Sequence, residues 1–143
     1  MQLTSYTDYA LRVLIYLAVL PKGQATISEI ADFYGISRNH LVKIVHQLGG
    51  NGFIKTTRGK GGGLSLGRAP ELIRVGDVVR NMENHFYWVE CFNPDLQTCK
   101  LLPDCRLKHL LMVAGNAYLG ILDGATLADV IPNFQFTLKV KAD

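Results

Sequence analysis

Long apolar runs are missing from this chain. The longest uninterrupted one, Val13 to Leu20, has eight residues and is preceded by Asp8 and Arg12, well short of the roughly 20 residues a membrane span needs. No transmembrane helix and no secretory signal is expected. That places the chain in the cytoplasm, where thiols stay reduced and available as ligands. Catalytic signatures are equally absent: no paired carboxylates at catalytic spacing, no nucleophile elbow and no cofactor fingerprint. No enzyme and no catalytic residue is expected. Acidic residues are missing from Phe33 through Pro70, a window that holds Arg38, Lys43, Lys55, Arg58, Lys60 and Arg68. Its potential should be positive and suited to a polyanion. A solvated basic face is the plainer alternative.

Cysteine is scarce, and its three copies, Cys91, Cys99 and Cys105, fall in one fifteen-residue stretch. An odd number of thiols cannot all pair as disulfides, and thiolates held together repel unless a cation or cluster spreads their charge. A soft metal or an iron–sulfur cluster is therefore the first hypothesis.

What is present is enough for one domain with a real core: 143 residues, 48% of them hydrophobic, a content that excludes disorder throughout. The net charge of +3 is unevenly spread, with ten Lys/Arg against five Asp/Glu in residues 1–80 and five against seven in 81–143. The expected fold is mainly α with a small β-hairpin wing: a winged helix-turn-helix unit plus a long dimerisation helix. Thr4 or Ser5 caps a first helix with apolar positions Tyr9, Val13, Tyr16, Leu17 and Leu20, ending at Pro21-Lys22-Gly23. Thr26 and Glu29 form a capping box for a short helix that Gly35 terminates. Ser37 is the next N-cap candidate. A helix over about 37–48 presents Leu41, Ile44, Val45 and Leu48 to one side, with Arg38, Asn39, His40, Val42, Lys43, His46 and Gln47 on the others. Gly49, Gly50 and Gly52 close it.

Two short helices around Gly35 are the outline of a helix-turn-helix. Two strands follow, within about 53–66, joined by Arg58-Gly59-Lys60-Gly61-Gly62-Gly63. A thin basic hairpin tip of this kind can approach the minor groove while the recognition helix enters the major groove. The rival reading of the glycines as a nucleotide phosphate cradle lacks a Gly-Lys-Ser/Thr ending and the strand-to-helix setting.

The expected division is residues 1–82 as the winged unit, 83–105 as a cysteine loop, 106–131 as the dimerisation helix with a short following helix, and 132–143 as an unassigned tail. Val75, Val78, Val79 and Met82 form the buried stripe of a helix that closes the winged unit. From Arg106 the positions Leu107, Leu110, Leu111, Ala114, Tyr118, Ile121 and Leu122 make an apolar seam, for which a second copy is the economical partner; folding back on its own domain is the alternative. Close helix approach is one account of Gly115 and Gly120. In the short helix capped by Thr126, the expected buried residues are Leu127, Val130 and Ile131. Trp88 and Phe86 are placed to shield the loop from water, or simply to pack.

The cysteine spacing is loose for a structural zinc knuckle, although zinc with three thiolates and a histidine remains open. An iron–sulfur cluster fits better, since ligands spread over a loop can wrap it, and four irons would leave one needing a fourth ligand. His85, Glu90, Asp95, Asp104 and His109 are near in sequence and chemically able, and for each a solvated loop or helix role is the simpler reading; Asp8, near the start of a helix, reads on its own as a complement to the helix dipole.

The opening Met1–Arg12 (MQLTSYTDYALR), the run Ile36–Val45 (ISRNHLVKIV), the wing Arg58–Gly63 (RGKGGG), the segment Ile73–Val79 (IRVGDVV) and the three cysteines together resemble the winged-helix iron–sulfur repressors that include NsrR and IscR. The Arg-Asn-His run and the opening segment look most like the NsrR branch, the nitric oxide-responsive repressors. The resemblance implies a homodimer on a palindromic double-stranded operator, carrying a 4Fe–4S cluster, with 2Fe–2S as the alternative. It further implies that nitric oxide reacts with cluster iron and releases the DNA. By the same likeness Cys91, Cys99 and Cys105 hold the cluster with Asp8 of the partner subunit, and Arg12 supports that carboxylate or the cluster's charge. Ser37, Arg38, Asn39, His40 and Lys43 would meet the major groove, and Arg58 and Lys60 the minor groove or flanking phosphates. Sensing of iron supply or cluster status is the second reading; a zinc- or cluster-binding enzyme or electron carrier is the third.

Overall fold

The computed structural model describes residues 2–133; Met1 and most of the unassigned tail, 134–143, lie outside the described residues. Six α-helices and one antiparallel hairpin follow one another as α1 (Ser5–Val19), α2 (Ile27–Tyr34), α3 (Arg38–Gly50), β1 (Ile54–Thr57), β2 (Gly63–Leu66), α4 (Val75–Met82), α5 (Arg106–Gly124) and α6 (Leu127–Val130). Short 3-10 turns occupy Pro70–Leu72 and Glu90–Phe92.

Helix α1 is the pillar of the core. Thr4 caps it by accepting from the Thr7 amide, and Thr7, Ala10, Val13, Leu14, Tyr16 and Leu17 are buried along its length. Around it close α3 through Leu41, Ile44 and Leu48, α2 through Ile30, and α4 through Val78 and Met82. The Thr26–Glu29 capping box forms as the sequence implies, and Gly35 ends α2 in the left-handed region at φ +65°, a conformation that favours glycine.

Two local expectations need correction. Ser37 stands at the N-cap of α3 but makes no capping bond through its side chain. At the far end α3 runs through Gly49 and Gly50 and stops only where Gly52 turns to φ +73°. Each glycine weakens a helix by about 1 kcal/mol relative to alanine, and here the packing of Leu48 and the amide bond from Asn51 to the Gln47 carbonyl outweigh that.

The hairpin pairs Ile54 with Leu66 and Thr57 with Gly63. A third segment joins it, because Ala25 and Leu64 exchange both backbone hydrogen bonds, at 3.0 and 2.7 Å. Beyond the hairpin, α4 buries Val75, Val78, Val79 and Met82 as expected. It is joined to α5 by Arg80, which donates from Nη1 and Nη2 to the two carboxylate oxygens of Asp123, and by Arg74, which donates to the Asp123 carbonyl at 3.0 Å. A Cβ at Gly76 would run into the Asp123 carboxylate, so this junction needs a bare Cα. Helix α6 returns to the core through Leu127 alone; Val130 is exposed and Ile131 only half-buried, because four residues make one turn and one turn presents a single inward position.

Among the described residues, Thr7 is the one fully buried polar side chain. Its hydroxyl donates to Glu83 Oε1 at 2.6 Å, and the same oxygen accepts from the Thr4 amide at 2.8 Å and the Thr4 hydroxyl at 2.9 Å. Glu83, the C-cap of α4, thus clamps the start of α1. Burial opposes its ionisation, but the bonds from Thr7 and Thr4 prevail and hold its pKa below the ordinary glutamate value. A group whose folded-state pKa is depressed contributes stability above its unfolded pKa and loses it as the pH falls through the folded value. Replacing Glu83→Ala should therefore lower Tm at pH 7, and the gap to wild type should close below about pH 4; a gap independent of pH would count against the ionised clamp.

Candidate functional site

Two surfaces carry chemistry. The first is the exposed side of α3 with the hairpin tip. Leu41, Ile44, Val45 and Leu48 anchor α3 in the core, so Ser37, Arg38, Asn39, Val42, Lys43 and His46 face solvent. No side chain caps its first turn, and the unpaired amides and positive end of the helix dipole suit an anion there. His40 differs from its neighbours. It is half-buried, with its ring 6.1 Å from that of Tyr6 and edge-on to Tyr9 at 5.6 Å, so α1 holds it in place.

At the hairpin tip Arg58 and Lys60 are exposed. Gly59 and Gly61 adopt φ +93° and +79°, and a Cβ at Gly62 would run into the Thr57 carbonyl; this tip can be turned only by glycine. Gln24 fixes it from outside, its Nε2 donating to the Gly61 carbonyl at 2.9 Å. Arg68, part of the same basic window, is committed to the hairpin's base. Its guanidinium lies 5.0 Å over the Phe53 ring and donates to the Asn51 carbonyl at 3.1 Å.

The second surface is the cysteine segment. None of the three thiols is in a disulfide; Cys91 and Cys105 are half-buried and Cys99 is exposed. The 3-10 turn Glu90–Phe92 carries Cys91, and Gln97 folds back on it, donating to the carbonyls of Asn93 at 2.7 Å and Cys91 at 3.4 Å. Thr98 donates to Glu90 Oε1 at 3.0 Å. His85 is stacked on Tyr87 at 4.6 Å. Cys105 is the N-cap of α5, its sulfur accepting from the Lys108 amide at 3.4 Å.

Among the described residues no three ligating side chains stand close enough together to hold a metal. The donor set nevertheless fits a soft metal or an iron–sulfur cluster: three unpaired thiols on one largely irregular segment, one of them at a helix N-terminus.

Asp8 projects from the first turn of α1, and Arg12 one turn on takes both its oxygens, Nε to Oδ1 at 3.0 Å and Nη2 to Oδ2 at 2.7 Å. The pair is about half exposed, with both side chains at 45%, so its worth to stability is small. Arg12 also lies 5.6 Å over the Tyr9 ring and 5.9 Å over Tyr34, whose hydroxyl donates to the Arg12 carbonyl at 3.0 Å. Asp8, Arg12, Tyr9 and His40 form a continuous contact series from α1 to the start of α3. Sequence reasoning named Asp8, Arg12 and His40; Tyr9 as a bridge and Gln24 as the tip's anchor were missed, since both depend on contacts across the fold.

Comparison with known proteins gives a consistent picture. The family model described as Rrf2, iron-dependent transcriptional regulator, matches residues 3–133. A protein named HTH-type transcriptional regulator NsrR from Bacillus licheniformis is 52% identical over 134 residues, covering 93% of this chain and 94% of that protein. Its namesake from Bacillus subtilis is 48% identical over 141 residues, covering 98% and 97%. Among solved structures, CymR of B. subtilis, the global cysteine regulator, superposes with TM-score 0.75 at 27% identity, covering 92% of this chain and 96% of that one.

Removing the amide in Gln24→Ala should free the hairpin tip without disturbing the core. Losing a hydrogen bond worth about 1 kcal/mol corresponds to amide exchange at Gly61 and Gly62 faster by about fivefold in NMR, with Tm essentially unchanged. Unaltered exchange would show the tip to be held by its glycine turn alone.

Proposed function

The chain belongs to the Rrf2 family of transcriptional regulators, and from that premise we propose that it is a homodimeric repressor whose grip on a palindromic operator is set by a nitric oxide-sensitive iron–sulfur cluster. Its near half-identical relatives are named transcriptional regulators, not enzymes. The observation that carries the DNA-binding part is the exposure of Arg38 and Lys43 on α3 and of Arg58 and Lys60 on the tip, in a stretch free of acidic residues. Ser37, Arg38, Asn39, His40 and Lys43 would enter the major groove, and the glycine-built tip would reach the narrower groove or its phosphates.

Dimer formation is supported by α5. Of its expected seam, Leu107, Leu110 and Ile121 are 58%, 63% and 75% exposed within one subunit, with Val113 beside them at 51%, an apolar stripe of the kind that marks an interaction surface, whereas Leu111, Tyr118 and Leu122 are half-buried against the subunit itself. In this reading residues 1–82 bind DNA, 83–105 hold the cluster and 106–131 join the subunits. The division is one of tasks, since Leu127 of α6 lies in the same core as α1.

Cys91, Cys99 and Cys105 would supply three thiolates, and Asp8 of the partner subunit the fourth ligand of a 4Fe–4S cluster. When bound, the cluster supplies iron that reacts with nitric oxide. The chain's own residues do the rest. Asp8 is held by Arg12 when it has no other partner, and drawing it away frees the guanidinium and ties α1 of one subunit to the loop of the other. That tie sets the angle between the two recognition helices, which must match half-sites about 34 Å apart.

A second reading, iron or cluster-status sensing, draws on the exposure of Cys99, which leaves one proposed ligand open to solvent. Anaerobic titration with nitric oxide and with an iron chelator, followed by operator anisotropy, separates the two by which abolishes binding first.

Asp8→Ala should shorten the lifetime of the visible absorption band by about tenfold or more, by analogy with the loss of groups that support metal sites, and blunt the response to nitric oxide. A variant with normal cluster, affinity and response would end the bridging account. On the DNA side, Lys60→Ala should reduce the slope of log affinity against log salt by about 0.9 for every sequence alike. Arg38→Ala should instead cost about 1–3 kcal/mol at one base position and relax preference there; equal losses on all sequences would reassign Arg38 to phosphate.

A further inference from the structure

Trp88, the one tryptophan of the chain, stands three residues before Cys91. Its indole rests on α5. Gly115 is the only buried residue of that helix, and a Cβ placed on it would lie 3.3 Å from Trp88 Cε2 and 3.4 Å from Nε1. Tyr118, one turn on, meets the indole edge-on at 5.5 Å. The same two aromatics wall a cavity of about 390 Å³ together with Phe86, Glu83 and the start of the chain.

Gly115 has no need of glycine for its backbone, since its φ is not positive. In a helix interior glycine is worse than alanine, and at Gly115 the bare Cα is matched by the close approach of Trp88. Gly120 on the same helix has nothing within 4 Å of a built Cβ.

The segment from Trp88 to Cys105 is thereby fastened to α5 at two points about 15 Å apart along the helix: by the chain itself at Cys105, and by the indole at Gly115. We propose that Gly115 is a positioning residue, whose bare Cα seats Trp88 and so holds Cys91 in register with Cys105. This rests on the reading of the cysteines as cluster ligands. Tightening the seat closes a loop that would otherwise sample many conformations before three thiols could meet.

The test uses full-length protein, first metal-free. Gly115→Leu should shift the tryptophan emission to longer wavelength and raise the rate of Cys91 alkylation by iodoacetamide, read by mass spectrometry, about fivefold, while Cys99 is unaffected. Gly115→Ala should move both in the same direction by less, with no fall in Tm, because alanine favours the helix; Gly120→Ala should change neither. In a Trp88→Ala background Gly115→Leu should add nothing to the Cys91 rate. Unchanged emission and Cys91 reactivity in folded Gly115→Leu would overturn the seat, and if that variant does not fold, Gly115→Ala decides on the same two readouts. After anaerobic reconstitution with iron and sulfide, the Gly115 variants should lose the visible band in air about fivefold faster than wild type. Failure of the wild type itself to take up a cluster would overturn the cluster reading alone, with the seat still judged by alkylation.

Discussion

Everything on this molecule's surface is referred to the burial of α1. Thr7, Ala10, Val13, Leu14 and Leu17 disappear into the core, and each fully buried Leu or Val contributes roughly 1.5–3 kcal/mol. One helix therefore sets the positions of α2, α3 and α4 together. Its buried face fixes its rotation. Rotation in turn decides that Asp8 and Arg12 look outward while Tyr6 and Tyr9 lie against His40 on α3. A displacement of α1 cannot be absorbed by a well-packed core without moving α3 as well.

The charged surface follows a different economy of forces. Exposed ion pairs such as Asp8–Arg12 contribute little to stability, which leaves both members free for other work. The basic side chains of α3 and the tip are unpaired with carboxylates among the described residues, so their field is not cancelled locally. Where an arginine is needed for architecture, it is visibly committed: Arg68 to Phe53 and Asn51, Arg80 and Arg74 to Asp123. Sorting the arginines in this way separates a binding surface from scaffolding better than any count of charges.

How much was legible in the sequence depended on the range of the forces. The Thr26–Glu29 box, the Gly35 cap and the stripe of α4 are local, and each is written within one or two turns of chain. Ser37 has the right type and place for a cap yet makes no capping bond, and α3 continues through two glycines because packing outweighs propensity. Val130 and Ile131 look as apolar as Leu127, but only tertiary placement reveals which of them reaches the core. Gln24 on Gly61 and Trp88 on Gly115 join residues 37 and 27 positions apart; no periodicity announces such contacts. The three cysteines were easy to find, and so was the place of Cys105 at the start of α5; the bond from the Lys108 amide to its sulfur was not.

The α5 seam shows where magnitude decides. Leu107, Leu110, Val113 and Ile121 are each between 51% and 75% exposed, so covering what remains would gain on the order of 1 kcal/mol per side chain. Doubled by two-fold symmetry, that is about 8 kcal/mol, comparable with the roughly 4–15 kcal/mol lost on association. A seam of this strength can join two subunits without fixing their angle rigidly. The proposed tie from Asp8 would then act on a joint soft enough to be turned.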